Sequence, residues 1–155
     1  MLVPQRQMLE WVRPTPAVRY EIFSPDLGLP WAVLTLDEPM RATLQTRHGT
    51  YLFRQQSRLS TVFITDADGS DIARVNTGWW GHRRLSFHDG RILRFRPSNL
   101  VRSRWLWSSG EGVPRAIVRQ NRIFFSPDWP VREGFSALLA GLSIYFLLTK
   151  PSLFF

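Results

Sequence analysis

The sequence predicts a mainly β protein, a closed antiparallel barrel of about twelve strands around a central hydrophobic helix at its C-terminal end. Three observations point there. Eleven short segments with strand patterning follow one another before anything helical, turn signals separate them at hairpin spacing, and a charge-free run, FSALLAGLSIYFLL at 135–148, comes after the last. A chain of 155 residues suits one domain with a substantial core. With 44% hydrophobic and 21% charged residues it matches neither a disordered chain nor a polytopic membrane protein.

Residues 1–16, MLVPQRQMLEWVRPTP, read as an N-terminal arm that ends on Pro14 and Pro16, neither of which suits the interior of a strand or helix. The stretch lacks the apolar middle region of a secretory signal, so no export is expected and the expected location is cytoplasmic. Zero cysteines exclude a disulfide framework, a thiolate metal site and a cysteine nucleophile. Residues 17–155 then read as one barrel domain.

Strands are expected over 17–23, 31–36, 41–47, 50–55, 60–65, 70–75, 83–87, 90–96, 101–107, 114–120 and 121–125. Alternation supports several of them. In VRSRWLW, Val101, Trp105 and Trp107 share one face and Arg102 and Arg104 the other; in GRILRFR, Leu93 and Phe95 oppose Arg94 and Arg96. Asp68-Gly69 and Asp89-Gly90 are dipeptides favoured in tight hairpins, where positive φ is needed. DADGSDIARVN (66–76), HDGRILRFRPSN (88–99) and SGEGVPRAIVRQN (109–121) form a loose repeat at a spacing of about 22 residues, each a glycine-bearing turn followed by a strand carrying apolar residues and arginine. Stacked hairpins of this kind make a meander that can curl and close.

From Gly134 to Thr149 no residue is charged, and Pro151 stops any helix. At about 1.5 Å per residue the segment would span about 24 Å, short of a hydrocarbon core of roughly 30 Å. It is apolar around its circumference, so lipid or protein must surround it. Twelve strands about 4.8 Å apart and tilted by roughly 40° enclose a cylinder about 24 Å across, which leaves room for one helix with its side chains. The inward faces of the strands need such a filling, which favours the barrel core over a membrane anchor. A tail-anchored protein using 134–149 is the alternative.

The turn elements DADGSDIARVN and FHDGRILRFR, followed by a C-terminal apolar helix, resemble the tubby C-terminal-like superfamily, which includes tubby proteins, phospholipid scramblases and LURP-one-related proteins. The resemblance covers roughly residues 30–149. It implies a twelve-stranded closed barrel around a central hydrophobic helix, and a membrane-related role: tubby domains bind phosphoinositides through basic residues, and scramblase-like members act at membranes. Many small bacterial members look like plain single barrels. No binding motif of the family can be matched residue by residue, and the cysteine-rich segment of scramblases is missing.

Lys plus Arg outnumber Asp plus Glu by 20 to 12, nearly all the positive charge is arginine, and the formal net charge is +8. Arginine favours phosphate, whether of lipid headgroups or of nucleic acid. The candidate lipid- or phosphate-binding residues are Arg83, Arg84, Arg91, Arg94, Arg96, Arg102 and Arg104, with Trp79 and Trp80 as aromatics inserting at an interface. The plain alternative is that the arginines are solvated outer faces and the tryptophans core. Asp66, Asp68 and Asp71 do not fit a calcium loop, because glycine falls fourth and the twelfth residue is Thr77, so a hairpin turn is expected. His48, His82 and His88 share no metal-ligand spacing, and no catalytic motif is present. The expectation is a non-catalytic binding module without cofactor or metal. It would act as a monomer on anionic phospholipid surfaces at the inner membrane face, or on a protein partner, with a nucleic-acid-binding barrel as the alternative.

Overall fold

The computed structural model describes residues 8–13, 19–25, 30–38, 40–57, 60–78, 82–98, 103–128 and 133–149. Twelve strands form a closed antiparallel barrel, each hydrogen-bonded to the next in sequence, with the first meeting the last. They are β1 (Met8–Val12), β2 (Arg19–Phe23), β3 (Pro30–Glu38), β4 (Arg41–Thr46), β5 (Gly49–Arg54), β6 (Val62–Asp66), β7 (Asp71–Thr77), β8 (Arg83–Phe87), β9 (Ile92–Pro97), β10 (Arg104–Ser109), β11 (Pro114–Arg119) and β12 (Arg122–Phe125). One helix follows, α1 (Glu133–Thr149).

All eleven expected strands are present, with ends shifted by up to three residues. The barrel has one more, because residues 8–12, read as part of an arm, form β1. Met8 faces Phe124 and Glu10 faces Arg122 across β12, while Glu10 faces Phe23 across β2, so this strand closes the wall. Its Leu9 and Trp11 are buried.

Period-two burial runs along the wall, with buried and exposed positions alternating through β7 to β9. Three hairpins share one turn. Asp66, Phe87 and Ser109 each donate their N–H to the carbonyl four residues on, and each accepts the N–H of Gly69, Gly90 or Gly112 three residues on. Those glycines have φ of 84°, 94° and 86°, where a side chain would be strained. The repeat read from the sequence is therefore one turn chemistry used three times.

The helix is enclosed. Every residue from 136 to 146 is buried, and its contacts reach different sides of the cylinder: Leu44 of β4 lies against Gly141, Phe53 of β5 against Tyr145 at 5.7 Å, Phe95 of β9 against Phe146 at 5.3 Å, and Trp107 of β10 against Phe146 at 6.0 Å. An added Cβ on Gly141 would stand 2.9 Å from Leu44 Cδ2, so the wall approaches the helix where the sequence has no side chain. Two hydrogen bonds fix the register. Trp107 Nε1 donates to Ser143 Oγ at 2.9 Å, and Tyr145 Oη donates to Gln55 Oε1 at 3.0 Å. Among the described residues no helix is long and apolar enough to cross a membrane.

Candidate functional site

Because successive strands run in opposite directions, alternate connections gather at opposite ends of the barrel, and most charges sort with them; Asp37 and Glu38 at the end of β3, and Arg47, Arg91 and Arg115 at the other end, are the exceptions. At the end where α1 begins, Asp66 and Asp71 stand at strand termini and Asp68, Asp89, Glu111 and Asp128 in turns. At the end where α1 finishes, Arg19, Arg41, Arg54, Arg84, Arg96, Arg104, Arg119 and Arg122 each lie at a strand terminus or one residue from it. The first end is the positive pole of the helix dipole and the second its negative pole, so each rim complements the pole it surrounds.

The basic end is richest over β8 to β12. Outward-facing Arg84 and Arg94 stand directly opposite each other, as do Arg104 and Arg119, and Arg119 and Arg122. Like charges directly opposed on a sheet repel. Among the described residues no carboxylate pairs with Arg84, Arg94, Arg96 or Arg119, while Arg122 Nε lies 3.8 Å from Glu10 Oε2. Beside the row Arg104, Arg119, Arg122 runs a second row, Leu106, Ile117, Phe124 and Met8, joined across the strands in that order and half-buried on the outer wall. Arg96 faces Leu106 from β9. A groove of about 250 Å³ opens between the two rows, lined by Arg104, Ile117, Arg119 and Phe124.

The structure divides the sequence candidates. Arg84, Arg94, Arg96 and Arg104 are exposed on the outer faces of adjacent strands, in one patch. Arg91 belongs to the opposite rim. Its backbone N–H, donated to Asp89 Oδ1, and then its Nε, 2.7 Å from Asp89 Oδ2, hold that carboxyl below its usual range, and its guanidinium covers Phe87 and Phe135 at 4.7 and 5.2 Å. Arg83 is no surface residue. It is 3% exposed and points into the barrel, its guanidinium 4.5 Å from the Phe146 ring. Trp79, Trp80 and Arg102 lie outside the described residues.

Sequence reading missed Arg119, Arg122 and the apolar row. The signal was present, since Leu106 shares the outer face of Arg104, and Ile117 that of Arg119, at period two. The eye falls instead on Trp105 and Trp107, which are core.

The acidic turn at 66–70 is an ordinary hairpin. Asp66 Oδ1 accepts the N–H groups of Asp68 and Ser70, both at 2.9 Å, so its carboxylate holds the turn. Among the described residues no group of three or more His, Cys, Asp or Glu side chains is placed to hold a metal ion. No protein-family model matches the chain, and neither a curated protein nor a solved structure matches it.

Proposed function

We propose that this barrel is a non-catalytic binding module of the tubby-like kind, which holds anionic phospholipid surfaces through the outer wall of β8 to β12. One observation carries the reading. The arginine row Arg104, Arg119, Arg122 runs directly beside the apolar row Leu106, Ile117, Phe124. Phosphates set between opposed guanidinium groups relieve their repulsion and accept their hydrogen bonds. The apolar row beside them suits the boundary between headgroups and acyl chains. The closed barrel around an apolar helix supports the tubby-like assignment, and with it a role at membranes. In this reading the protein is a cytoplasmic monomer, peripheral at the inner membrane face, with Arg84, Arg94 and Arg96 extending the footprint.

Co-sedimentation with vesicles tests this. Binding is expected to vesicles containing phosphatidylglycerol and not to pure phosphatidylcholine. The triple variant Arg104→Gln, Arg119→Gln, Arg122→Gln should bind roughly 100-fold more weakly, at about 1 kcal/mol per basic residue near a charged surface. Equal binding to both vesicle types, or a triple variant that binds as the parent does, would sink the proposal. A nucleic-acid reader would use the same wall. It is less favoured because Phe124 is the one aromatic side chain on the outer face here among the described residues, which leaves no stacking platform.

A further inference from the structure

Arg83 is the one arginine the barrel turns inward among the described residues, and the outer wall does not explain it. It is the first residue of β8, so it sits just inside the basic rim, opposite Thr77 of β7 and Phe95 of β9. One face of its guanidinium covers Phe146 at 4.5 Å, and Nη1 reaches Thr77 Oγ1 at a long 3.4 Å. Nη2 is buried and has no hydrogen-bond partner. A charged donor left unpaired inside a protein is costly, and a protein that keeps one commonly uses it. The neighbouring polar groups do not neutralise it, because Tyr145 gives its hydroxyl hydrogen to Gln55 and Gln55 donates to the carbonyl of Ser60 at 3.2 Å.

We infer that Arg83 Nη2 and the Thr77 hydroxyl form an oxyanion-binding site inside the basic mouth of the barrel, and that its ligand is a phosphate group. Nη1 is turned to Thr77, so an anion held by Nη2 stands beside the Thr77 hydroxyl as well. A tetrahedral oxyanion, with oxygens in several directions, can accept from both. Arg19, Arg41 and Arg54, at strand ends of the same rim and outside the vesicle-binding row, raise the local concentration of anions at this end. Burial weakens the hold of Arg83 on its proton, which leaves it charged at neutral pH and responsive to a counter-ion. The site goes beyond the membrane reading and stands on separate residues.

The test compares the full chain with Arg83→Met in thermal unfolding, in chloride buffer and in inorganic phosphate at matched ionic strength. In chloride the variant should be at least as stable as the parent, because replacing a buried unpaired charge by an apolar group of similar length removes a desolvation penalty. In phosphate the parent should gain about 3 °C or more over the variant. A variant that loses stability in chloride and gains as much from phosphate as the parent would overturn the proposal. Glycerol 3-phosphate and monomeric dihexanoyl phosphatidylglycerol identify the source. Stabilisation by inorganic phosphate and glycerol 3-phosphate alone marks a free phosphate ligand, and stabilisation by the short-chain lipid marks a headgroup; a response to none of the three rejects the site. The Arg104, Arg119, Arg122 triple variant should keep the phosphate response while losing vesicle binding, which separates this site from the wall.

Discussion

At the scale of single residues, the barrel interior is joined to its helix by a few hydrogen bonds that no periodicity reveals. Ser143 reads in sequence as a small residue that lets the wall approach. In the structure its hydroxyl accepts the Trp107 indole N–H and donates to the Leu139 carbonyl at 2.7 Å. Ser143→Ala should cost about 1–3 kcal/mol, since it leaves a buried indole N–H unpaired, and urea unfolding measures this directly. Tyr145 gives a pH signature. Burial pushes its pKa up to about 12, partly opposed by Arg83, while burial pushes Arg83 down to about 10. A phenol whose folded pKa lies above its unfolded value contributes stability that is present below about pH 10 and lost as pH rises towards 12. Arg83 acts in the opposite sense, because the unfolded chain keeps that proton longer and stability rises with pH above about 10. Tyr145→Phe removes only the first effect. Between pH 9.5 and 11.5 the parent should therefore lose stability relative to this variant in paired urea titrations; a parent that gains on the variant would contradict the assignment. Parity separates Arg83 from Arg84. Leu85 faces inward, so Arg83 two residues before it does too, a signal that the sequence carries and the residue type conceals.

At the scale of elements, strands were the most legible part of the chain because alternation and turn glycines are local properties. β1 was not, since MLEWV is only five residues long in a segment bounded by Pro4 and Pro14, and its partner β12 lies more than a hundred residues away. Closure is a long-range fact. The helix was legible as an apolar segment, and its place inside the wall followed from what the strands had to cover. Gly141 is the sharpest check on that place. Gly141→Leu puts a branched side chain where a single Cβ already meets Leu44 at 2.9 Å, and should destabilise by roughly 1–3 kcal/mol or more, read from the denaturation midpoint. A helix facing lipid or solvent at this position would accept leucine without loss.

At the scale of the whole molecule, the separation of charge between the two rims emerges only when consecutive hairpins are folded. Along the sequence, acids and arginines simply interleave. Once the strands alternate in direction, the acids of the β6–β7, β8–β9 and β10–β11 turns fall at the entry of the helix and most arginine-bearing strand ends fall at its exit, where Asp37 and Glu38 at the end of β3 are the exceptions. The vesicle binding proposed for the β8 to β12 wall should accordingly weaken as salt rises. At about 0.15 M the Debye length of roughly 8 Å screens the acidic rim from a surface docked at the other end. The basic character of the candidate site was thus legible from composition, but its location was not, because cross-strand register sets it.

The described elements also fix an order of events during synthesis. All twelve strands leave the ribosome before α1, yet α1 fills the space they enclose, and β1 must wait for β12 to supply its partner. Until β12 emerges the nascent wall carries two unpaired edges, and until α1 emerges it carries an uncovered apolar lining, both invitations to associate with another chain. Closure depends on contacts distant in sequence, which places this fold among the slow ones. Its most exposed moment therefore falls between the emergence of the first strands and that of α1, when the wall is largely made and its lining has nothing to cover it.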